Sequence, residues 1–297
     1  MSNYTFRQFQ AEYPDDSACL DKIMDVRYGG REFSCPGCGA DSKFHRLAKR
    51  RAYSCQHCGH HVYPCVGTPF EKSRTALTSW FFAMYLLTST RHGVAAKELQ
   101  RQIGCTYKTA WRMAHELRKH MANSDRHGPM SGHIEVDETY IGGKIRTKGP
   151  GYKRAKATDN KTIVFGILER GGIVRAGPVA EADKSTLEPH ILRNVQRGST
   201  ISTDGHVAYS DLKLSYRHGV VNHSIGEYVR GQWHVNSIEG YWSRLKNSIK
   251  GTHVHVSRKH LWKYVSEFSY RYNMRKQPAL MFDRLVSSLV LQRLTES

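Results

Sequence analysis

The sequence contains no apolar segment long enough to cross a membrane. The amino-terminal residues MSNYTFRQFQAEYPDD place no basic start before an apolar run, so a secretory signal is not expected. The longest nearly apolar stretch, Leu77 to Leu87, includes Thr78 and Ser79 and falls well short of the ~20 residues that span a bilayer. We therefore expect a cytoplasmic protein in which this stretch forms a core helix.

Acidic residues are scarce relative to basic ones. The 297 residues include 26 Asp and Glu against 45 Lys and Arg, a formal net charge of +19 that is spread along the chain. Such an excess favours a polyanionic partner, and nucleic acid before others. A basic surface that only keeps the protein soluble is the alternative. The length and the apolar content of 39% predict about two domains with ordinary cores.

Internal repeats and low-complexity tracts are also absent, and one polar segment divides the chain. The residues Asn123 to Gly132, NSDRHGPMSG, contain Gly and Pro and predict a linker. A cysteine-rich segment and then helical patterns precede it. Strand patterns and then helical patterns follow it, an order suited to a mixed α/β domain.

The second half of the chain predicts a defined set of strands and helices. Ile134 to Ile141 is a strand candidate, and Glu169 to Gly172 separates two β-rich runs that we expect to form a hairpin. A helix and a short strand that ends at Asp204 should follow. The predicted ranges are 162–168 and 173–179 for the hairpin, 184–196 for the helix, 200–203 for the strand, and helices from 237 onward, at 257–273 and at 278–294.

The cysteines are not arranged as a disulfide framework. Four of the seven form two C-x-x-C pairs, Cys35 with Cys38 and Cys55 with Cys58, separated by 16 residues. This spacing is typical of a structural zinc site with a closed shell of four sulfurs. Buried or redox-active cysteines are the alternative. Cys58 is the least certain ligand because other candidates lie nearby, namely His57, His60, His61 and Cys65.

Three helical segments follow the cysteines. They cover 74–89, 93–104 and 106–121, with a Gly-bearing turn before the third. This arrangement predicts a helix-turn-helix whose last helix enters the major groove of DNA, where Tyr107, Lys108 and Arg112 would make contact. A helical hairpin with a solvated basic face is the alternative. The packed stripe of the third helix should contain Ala110, Trp111, Ala114 and Leu117.

Three acidic residues stand where a metal-dependent nuclease needs them. Asp137 lies within a strand, which is an unfavourable place for an acid. Asp204 follows a later strand, and Glu239 begins a helix. Each also has an ordinary explanation: an edge-strand charge, a turn before Gly205, and a capping box with Asn236. Their occurrence together favours a catalytic site.

The predicted helix that begins near Glu239 has two distinct faces. Glu239 and Lys246 share the polar face, two turns apart, so that a carboxylate near a metal ion and an ammonium further along could bind a phosphodiester between them. Two further acids flank Asp137. Glu135 shares its face of the strand, whereas Glu138 points to the other side. The apolar stripe of the helix consists of Ile238, Trp242, Leu245 and Ile249.

The motifs VDETYIGGK, STDGHVAYSDL and HVNSIEGYWSRLKNSIKGTHVHVS occur in this order. Their order resembles the bacterial insertion-sequence transposases that place a zinc ribbon ahead of a DDE catalytic domain, over nearly the whole chain. The resemblance implies a mixed α/β ribonuclease-H-like fold. It also implies that Asp137, Asp204 and Glu239 are the metal-binding triad and that Lys246 is the accompanying basic residue.

The resemblance further implies a DNA transposase that cleaves transposon ends and transfers their 3′-hydroxyl to target DNA. Carboxylates suit Mg²⁺ or Mn²⁺, while the cysteines suit structural Zn²⁺. Double-stranded DNA, as terminal inverted repeats and target, is the expected partner, and joining two ends implies a homo-oligomer. A zinc-ribbon DNA-binding regulator with an inactive nuclease domain, and a nuclease without strand transfer, remain alternatives. The expected parts are 1–70 (zinc ribbon), 71–125 (helix-turn-helix) and 132–297 (catalytic).

Overall fold

The computed structural model describes residues 4–123, 128–142, 161–222 and 225–291. The chain forms two compact units. The first comprises Met1–Ser124 together with Lys276–Ser297, and the second comprises Asp125–Arg275. Part of the expected linker, residues 124–127, lies outside the described residues, as does the end of the last predicted helix beyond residue 291. No helix in the described ranges is both long and apolar enough to cross a bilayer.

The first unit begins with two helices, α1 (Phe6–Glu12) and α2 (Asp16–Tyr28). Thr5 and Gln8 form a capping box at the start of α1, and Asp15 caps α2 through a hydrogen bond from Ala18 N. A four-stranded antiparallel sheet follows, in the order β1-β2-β3-β4. Its strands are β1 (Glu32–Ser34), β2 (Asp41–Arg46), β3 (Tyr53–Cys55) and β4 (His61–Val62).

Three further helices of the first unit correspond to the predicted helical segments. They are α3 (Leu77–Ser89), α4 (Ala96–Ile103) and α5 (Tyr107–Asn123). Gly104 ends α4 in the left-handed conformation, with φ of 73°, which glycine adopts without the Cβ clash of other residues. Thr106 then starts α5 by accepting a hydrogen bond from Thr109 N. The turn between α4 and α5 is therefore only three residues long.

The second unit is built on a five-stranded mixed sheet in the order β7-β6-β5-β8-β9. Neighbours β5, β6 and β7 are antiparallel, whereas β8 and β9 run parallel to β5. This order and these directions define a ribonuclease-H-like sheet, so the expected mixed α/β fold is confirmed. The strands are β5 (His133–Gly142), β6 (Lys161–Glu169), β7 (Val174–Val179), β8 (Thr200–Thr203) and β9 (Arg217–Val220).

Helices cover both faces of this sheet. The helix α6 (Lys184–Asn194) packs Leu187 and Ile191 with Ile134, Val136 and Ile201 on one face. On the opposite face, α7 (Asn236–Ser248) and α8 (Arg258–Asn273) bury Ile238, Trp242 and Leu261 against β5 to β7. The period-two alternation of β5 therefore sends its even-numbered side chains toward α6 and its odd-numbered ones toward α7.

The last described helix, α9 (Met281–Leu291), belongs to the first unit. Its apolar stripe, with Phe282, Leu285 and Leu289 nearly inaccessible to solvent, packs against α2, α3 and α5. The Ser288 hydroxyl donates to the His120 carbonyl of α5 at 2.9 Å. The sequence pattern predicted the helix but assigned it to the catalytic part at 132–297, because a helical period shows which face is buried and not which partner covers it.

Candidate metal and catalytic sites

The four cysteines of the two C-x-x-C pairs converge at one end of the first sheet. Their four Sγ atoms, from Cys35, Cys38, Cys55 and Cys58, all lie within 4.8 Å of one another. The sulfurs of Cys35 and Cys58 are 3.7 Å apart. In the described part of the chain, no other group of three or more His, Cys, Asp or Glu residues is this close. Cys58 therefore lies with the other three cysteines, and Cys65 is buried elsewhere.

Each cysteine pair lies on the same type of turn. Gly39 N donates to the Cys35 carbonyl at 2.8 Å, and Gly59 N donates to the Cys55 carbonyl at 3.0 Å. Both glycines have φ of 73°, a conformation that a Cβ disfavours. The Cys55 sulfur forms a hydrogen bond with the Ser42 hydroxyl at 3.1 Å, and this bond is the largest influence that lowers the pKa of Cys55 to about 5. Four clustered sulfurs with a stabilised thiolate fit a structural zinc ion.

Two of the predicted acids lie side by side in the second unit. The parallel register pairs Glu135 of β5 with Ser202 of β8. Asp204 directly follows β8, and its charge acts on Asp137, which lies two residues beyond Glu135 on β5. Asp204 Oδ1 also accepts a hydrogen bond from His206 N at 3.0 Å, which fixes the turn that follows β8. The sheet itself therefore brings together acids that are distant in sequence.

The two acids perturb each other together with Glu138. Burial, then the charge of Glu138, and then that of Asp204 raise the pKa of Asp137 to about 8. Burial and the charge of Asp204 also raise the pKa of Glu138, whose carboxylate accepts a hydrogen bond from the Tyr209 hydroxyl at 2.5 Å. A cluster of desolvated carboxylates of this kind attracts a cation.

Glu239 and Lys246 lie on the exposed face of α7. Glu239 is in the first turn and Lys246 in the last, about 10 Å apart along the helix axis. The apolar stripe opposite them is buried as predicted, with Ile238 and Leu245 inaccessible to solvent. Glu239 does not form a three-acid group with Asp137 and Asp204 in which all ligand oxygens lie within 4.8 Å. Two ions about 4 Å apart do not require so close a group.

A buried glutamate attaches the start of α7 to β5. Glu135 is inaccessible to solvent, and its carboxylate accepts from Ser237 N at 2.8 Å and from Ile238 N at 3.0 Å. Arg170 Nε donates to the same carboxylate at 2.6 Å. The capping box with Asn236, which was the alternative explanation for Glu239, does not form, since α7 begins at Asn236 and has no side-chain cap of its own. Glu135 supplies the missing acceptor from another element.

A second contact joins α7 to β5 at Asp137. Trp242 Nε1 donates to Asp137 Oδ2 at 2.9 Å. The ring lies over Gly166 of β6, which pairs directly with Asp137. A Cβ built on Gly166 would come within 2.7 Å of the Trp242 ring, closer than carbon atoms can approach. Glycine at this position therefore makes room for the indole beside the carboxylate.

Comparison with known proteins identifies the family. Residues 129–273 match the ISXO2-like transposase domain, and residues 14–61 match the transposase zinc-ribbon domain. An uncharacterized protein in transposable element ISH50 of Halobacterium salinarum is 30% identical over 261 residues, which cover 82% of this chain and 86% of the relative. The chain belongs to the ISXO2-like transposase family. The resemblance expected from the three sequence motifs is thereby confirmed.

Two solved structures also align with this transposase at low similarity. The Mos1 strand transfer complex has a TM-score of 0.27 and 10% identity, covering 70% of this chain and 78% of that one. A pre-cleavage Mos1 transpososome has the same TM-score and identity, with coverages of 71% and 79%. The fold assignment of the transposase rests on the strand order and directions of its sheet, and not on these alignments.

The residues predicted to read DNA lie near the start of α5 in the transposase. Tyr107 and Lys108 are exposed there, and the Tyr107 side chain is 50% accessible. Arg112 is also exposed, but its guanidinium donates to the Ser73 hydroxyl at 3.3 Å and lies 5.7 Å from the centre of the Trp80 ring. In the predicted packed stripe, Ala110, Ala114 and Leu117 are inaccessible to solvent, whereas Trp111 is half-buried and stacks on His115.

Two interactions around the acids were not predicted from the sequence. Glu138 was expected on the opposite side of the strand from Asp137, and it does face Tyr209 there, yet both feel the charge of Asp204. The sequence placed Trp242 in the apolar stripe of its helix but did not indicate that its ring donates a hydrogen bond to Asp137. In the sequence, the adjacent pair Asp137 and Glu138 was the available sign that this part of β5 is unusually acidic.

Proposed function

We propose that this transposase binds the ends of its transposon, cleaves a phosphodiester bond there and joins the freed 3′-hydroxyl to target DNA. The observation that carries the proposal is the pair Asp137, on β5, and Asp204, directly after the adjacent parallel strand β8, with the charge of Asp204 contributing to a pKa of Asp137 raised to about 8. Carboxylates held together against their repulsion are stabilised by a divalent cation, which replaces a proton as the neutralising charge.

The donor set fits Mg²⁺ or Mn²⁺, which prefer carboxylate oxygens. Asp137 would bridge two such ions, and Asp204 and Glu239 would each complete one site. When bound, a pair of these ions supplies activation of the attacking oxygen and stabilisation of the leaving oxygen. The chain's own contribution is to fix the carboxylates: Asp204 through the turn that His206 N closes, and Glu239 through the attachment of α7 to Glu135.

DNA binding is supported by charge and by exposed side chains. The chain carries a net charge of +19, and counterion release from phosphates makes such a surface bind DNA. We assign Lys246 to a phosphate of the transposon end, because it lies exposed on the same helix face as Glu239. Tyr107, Lys108 and Arg112 at the start of α5 would contact the terminal inverted repeat, with α3 to α5 acting as a helix-turn-helix. Joining two ends requires at least two copies of the chain.

The test is an end-cleavage assay on duplex carrying the element's terminal repeat, with Mg²⁺ or Mn²⁺ as cofactor. Native protein should nick at the repeat boundary, and Asp204→Ala and Glu239→Gln should each lower the rate at least 100-fold. A suitable control is Asp183→Asn, which removes an exposed acid that caps α6. Undiminished cleavage by Asp204→Ala would refute the assignment. If nicked products form but never become joined to target DNA, the protein is a nuclease that does not carry out strand transfer.

A further inference from the structure

The acidic site depends on a helix that lies across the sheet and is attached to β5 at two successive odd-numbered positions. Glu135 receives the first backbone N–H groups of α7, and Asp137 receives the indole N–H of Trp242. Both acids face the same side of β5, and Ile238 and Trp242 are four residues apart on one face of α7. The two contacts together fix both the translation and the rotation of the helix relative to the strand.

Gly166 has no backbone reason to be glycine, since it is not among the residues with positive φ. Its neighbours supply the reason. A Cβ there would lie 2.7 Å from two atoms of the Trp242 ring and 3.2 Å from Ile238 Cδ1. Glycine in a strand interior weakens the strand, so its presence directly opposite Asp137 in the β5–β6 register indicates a requirement for the ring at this place.

We propose that Trp242 is a positioning residue for the metal-binding carboxylate of Asp137 and that Gly166 provides the space for its ring. This inference rests on the proposed function, because it assigns Asp137 to a metal ion. The indole N–H donates to Oδ2 and restricts the side-chain rotamer of Asp137, so Oδ1 would be the oxygen available to a cation held together with Asp204. Outer partners of metal ligands act in this way, and their loss typically costs 10- to 100-fold in metal affinity or activity.

The first test measures metal binding apart from catalysis. Binding of Mn²⁺ to the zinc-loaded, full-length protein is followed by the electron paramagnetic resonance signal of free Mn²⁺. Trp242→Phe removes the N–H but retains an aromatic ring, and we expect about tenfold weaker Mn²⁺ binding. Gly166→Ala, which retains the indole but displaces it, should weaken binding similarly. Trp262→Phe in α8 is the matched control and should bind like the native protein, since its ring is 38% exposed and packs near Lys263.

An isosteric variant separates the hydrogen bond from packing. A benzothienyl-alanine introduced at position 242 keeps the shape of the indole and replaces its N–H with sulfur, so folding should be unaffected. We expect the same tenfold loss of Mn²⁺ affinity and a lower kcat at saturating metal, with KM for DNA unchanged. Native affinity in the isosteric variant would overturn the inference even if Trp242→Phe failed to fold.

The outcome also separates this inference from the proposed function. If native protein and Asp137→Asn bind Mn²⁺ equally and neither cleaves DNA, then Asp137 is not a metal ligand and the proposed function fails with it. If the native protein binds Mn²⁺ and cleaves, but all position-242 and position-166 variants match it in affinity and kcat, only the positioning role is wrong.

Discussion

Replacement of Asp137 by asparagine should stabilise the metal-free transposase. The pKa of this carboxyl rises from 3.8 to about 8 on folding, chiefly through burial and then through the charges of Glu138 and Asp204. Below about pH 4 the carboxyl is protonated in both the folded and the unfolded state, so it does not change the free energy of unfolding. As the pH rises toward 8, the unfolded chain ionises first, so the folded state loses stability relative to it.

The magnitude follows from the size of the shift. Between pH 3.8 and pH 7 the folded state loses up to about 4 kcal/mol, at about 1.4 kcal/mol for each pH unit. Solvent screening of the charges of Glu138 and Asp204 reduces this, and we expect Asp137→Asn to recover at least about 2 kcal/mol at pH 7. The amide oxygen still accepts from Trp242. For a unit of this size the melting temperature should rise by roughly 4 °C or more.

Differential scanning calorimetry in buffer free of Mg²⁺, at pH 4 and pH 7, checks this expectation. The increase in melting temperature of Asp137→Asn over the native protein should be large at pH 7 and close to zero at pH 4. Asp211→Asn is the matched control, because that acid is exposed and Lys184 lowers its pKa, so its removal should not stabilise. A gain that is absent at pH 7, or equally large at pH 4, would refute the reasoning.

Metal binding should reverse the comparison. A cation present at 100 times its Kd stabilises a protein by about 2.7 kcal/mol. Saturating Mn²⁺ should therefore raise the melting temperature of the native protein and leave that of Asp137→Asn nearly unchanged. Equal stabilisation of both proteins would place the cation elsewhere.

Three further predictions concern other parts of the chain. Removal of zinc by a strong chelator, or Cys58→Ser, should unfold the sheet β1 to β4, as seen in amide NMR spectra, whereas Cys105→Ser should not, since Cys105 lies outside the sulfur cluster. Lys246→Ala should weaken binding of a terminal-repeat duplex in fluorescence anisotropy and lower the salt slope by about one, while Asn247→Ala should leave that slope unchanged. Gly104→Ala should destabilise the first unit by about 1 kcal/mol in calorimetry, because φ is 73° there.

Elements defined by local patterns were well predicted from the sequence. The cysteine spacing indicated the sulfur cluster, and two β-rich runs on either side of Glu169–Gly172 indicated the hairpin that became β6 and β7. Two helices at the amino terminus, α1 and α2, were missed, although Thr5 with Gln8 and then Asp15 are the capping residues that begin them. Their apolar periodicity is weak, so the caps were the available signal.

The acids illustrate where sequence reasoning stops. Asp137 was recognised as an acid within a strand and Asp204 as an acid that follows one, and in the fold the charge of Asp204 acts on Asp137. The sequence placed Glu138 beside Asp137 but gave no means to predict that the charge of Asp204 would act on both residues. From the sequence, Glu135 was identified only as a further acid on the same face of the strand as Asp137. In the fold, its carboxylate accepts hydrogen bonds from the start of α7. Glu135 and Ser237 are 102 residues apart in the chain, and only folding brings them together.

The sequence by itself determined the family, the zinc-ribbon cysteines, most of the helices and strands after residue 74, and the acids that define the motifs, because each depends on spacing along the chain. The tertiary structure decided those features that depend on contacts between residues distant in the chain. The last helix packs with the first unit, Glu135 caps a helix from another element, and Trp242 reaches Asp137 over Gly166. These contacts depend on sheet register and helix docking, which no local pattern encodes.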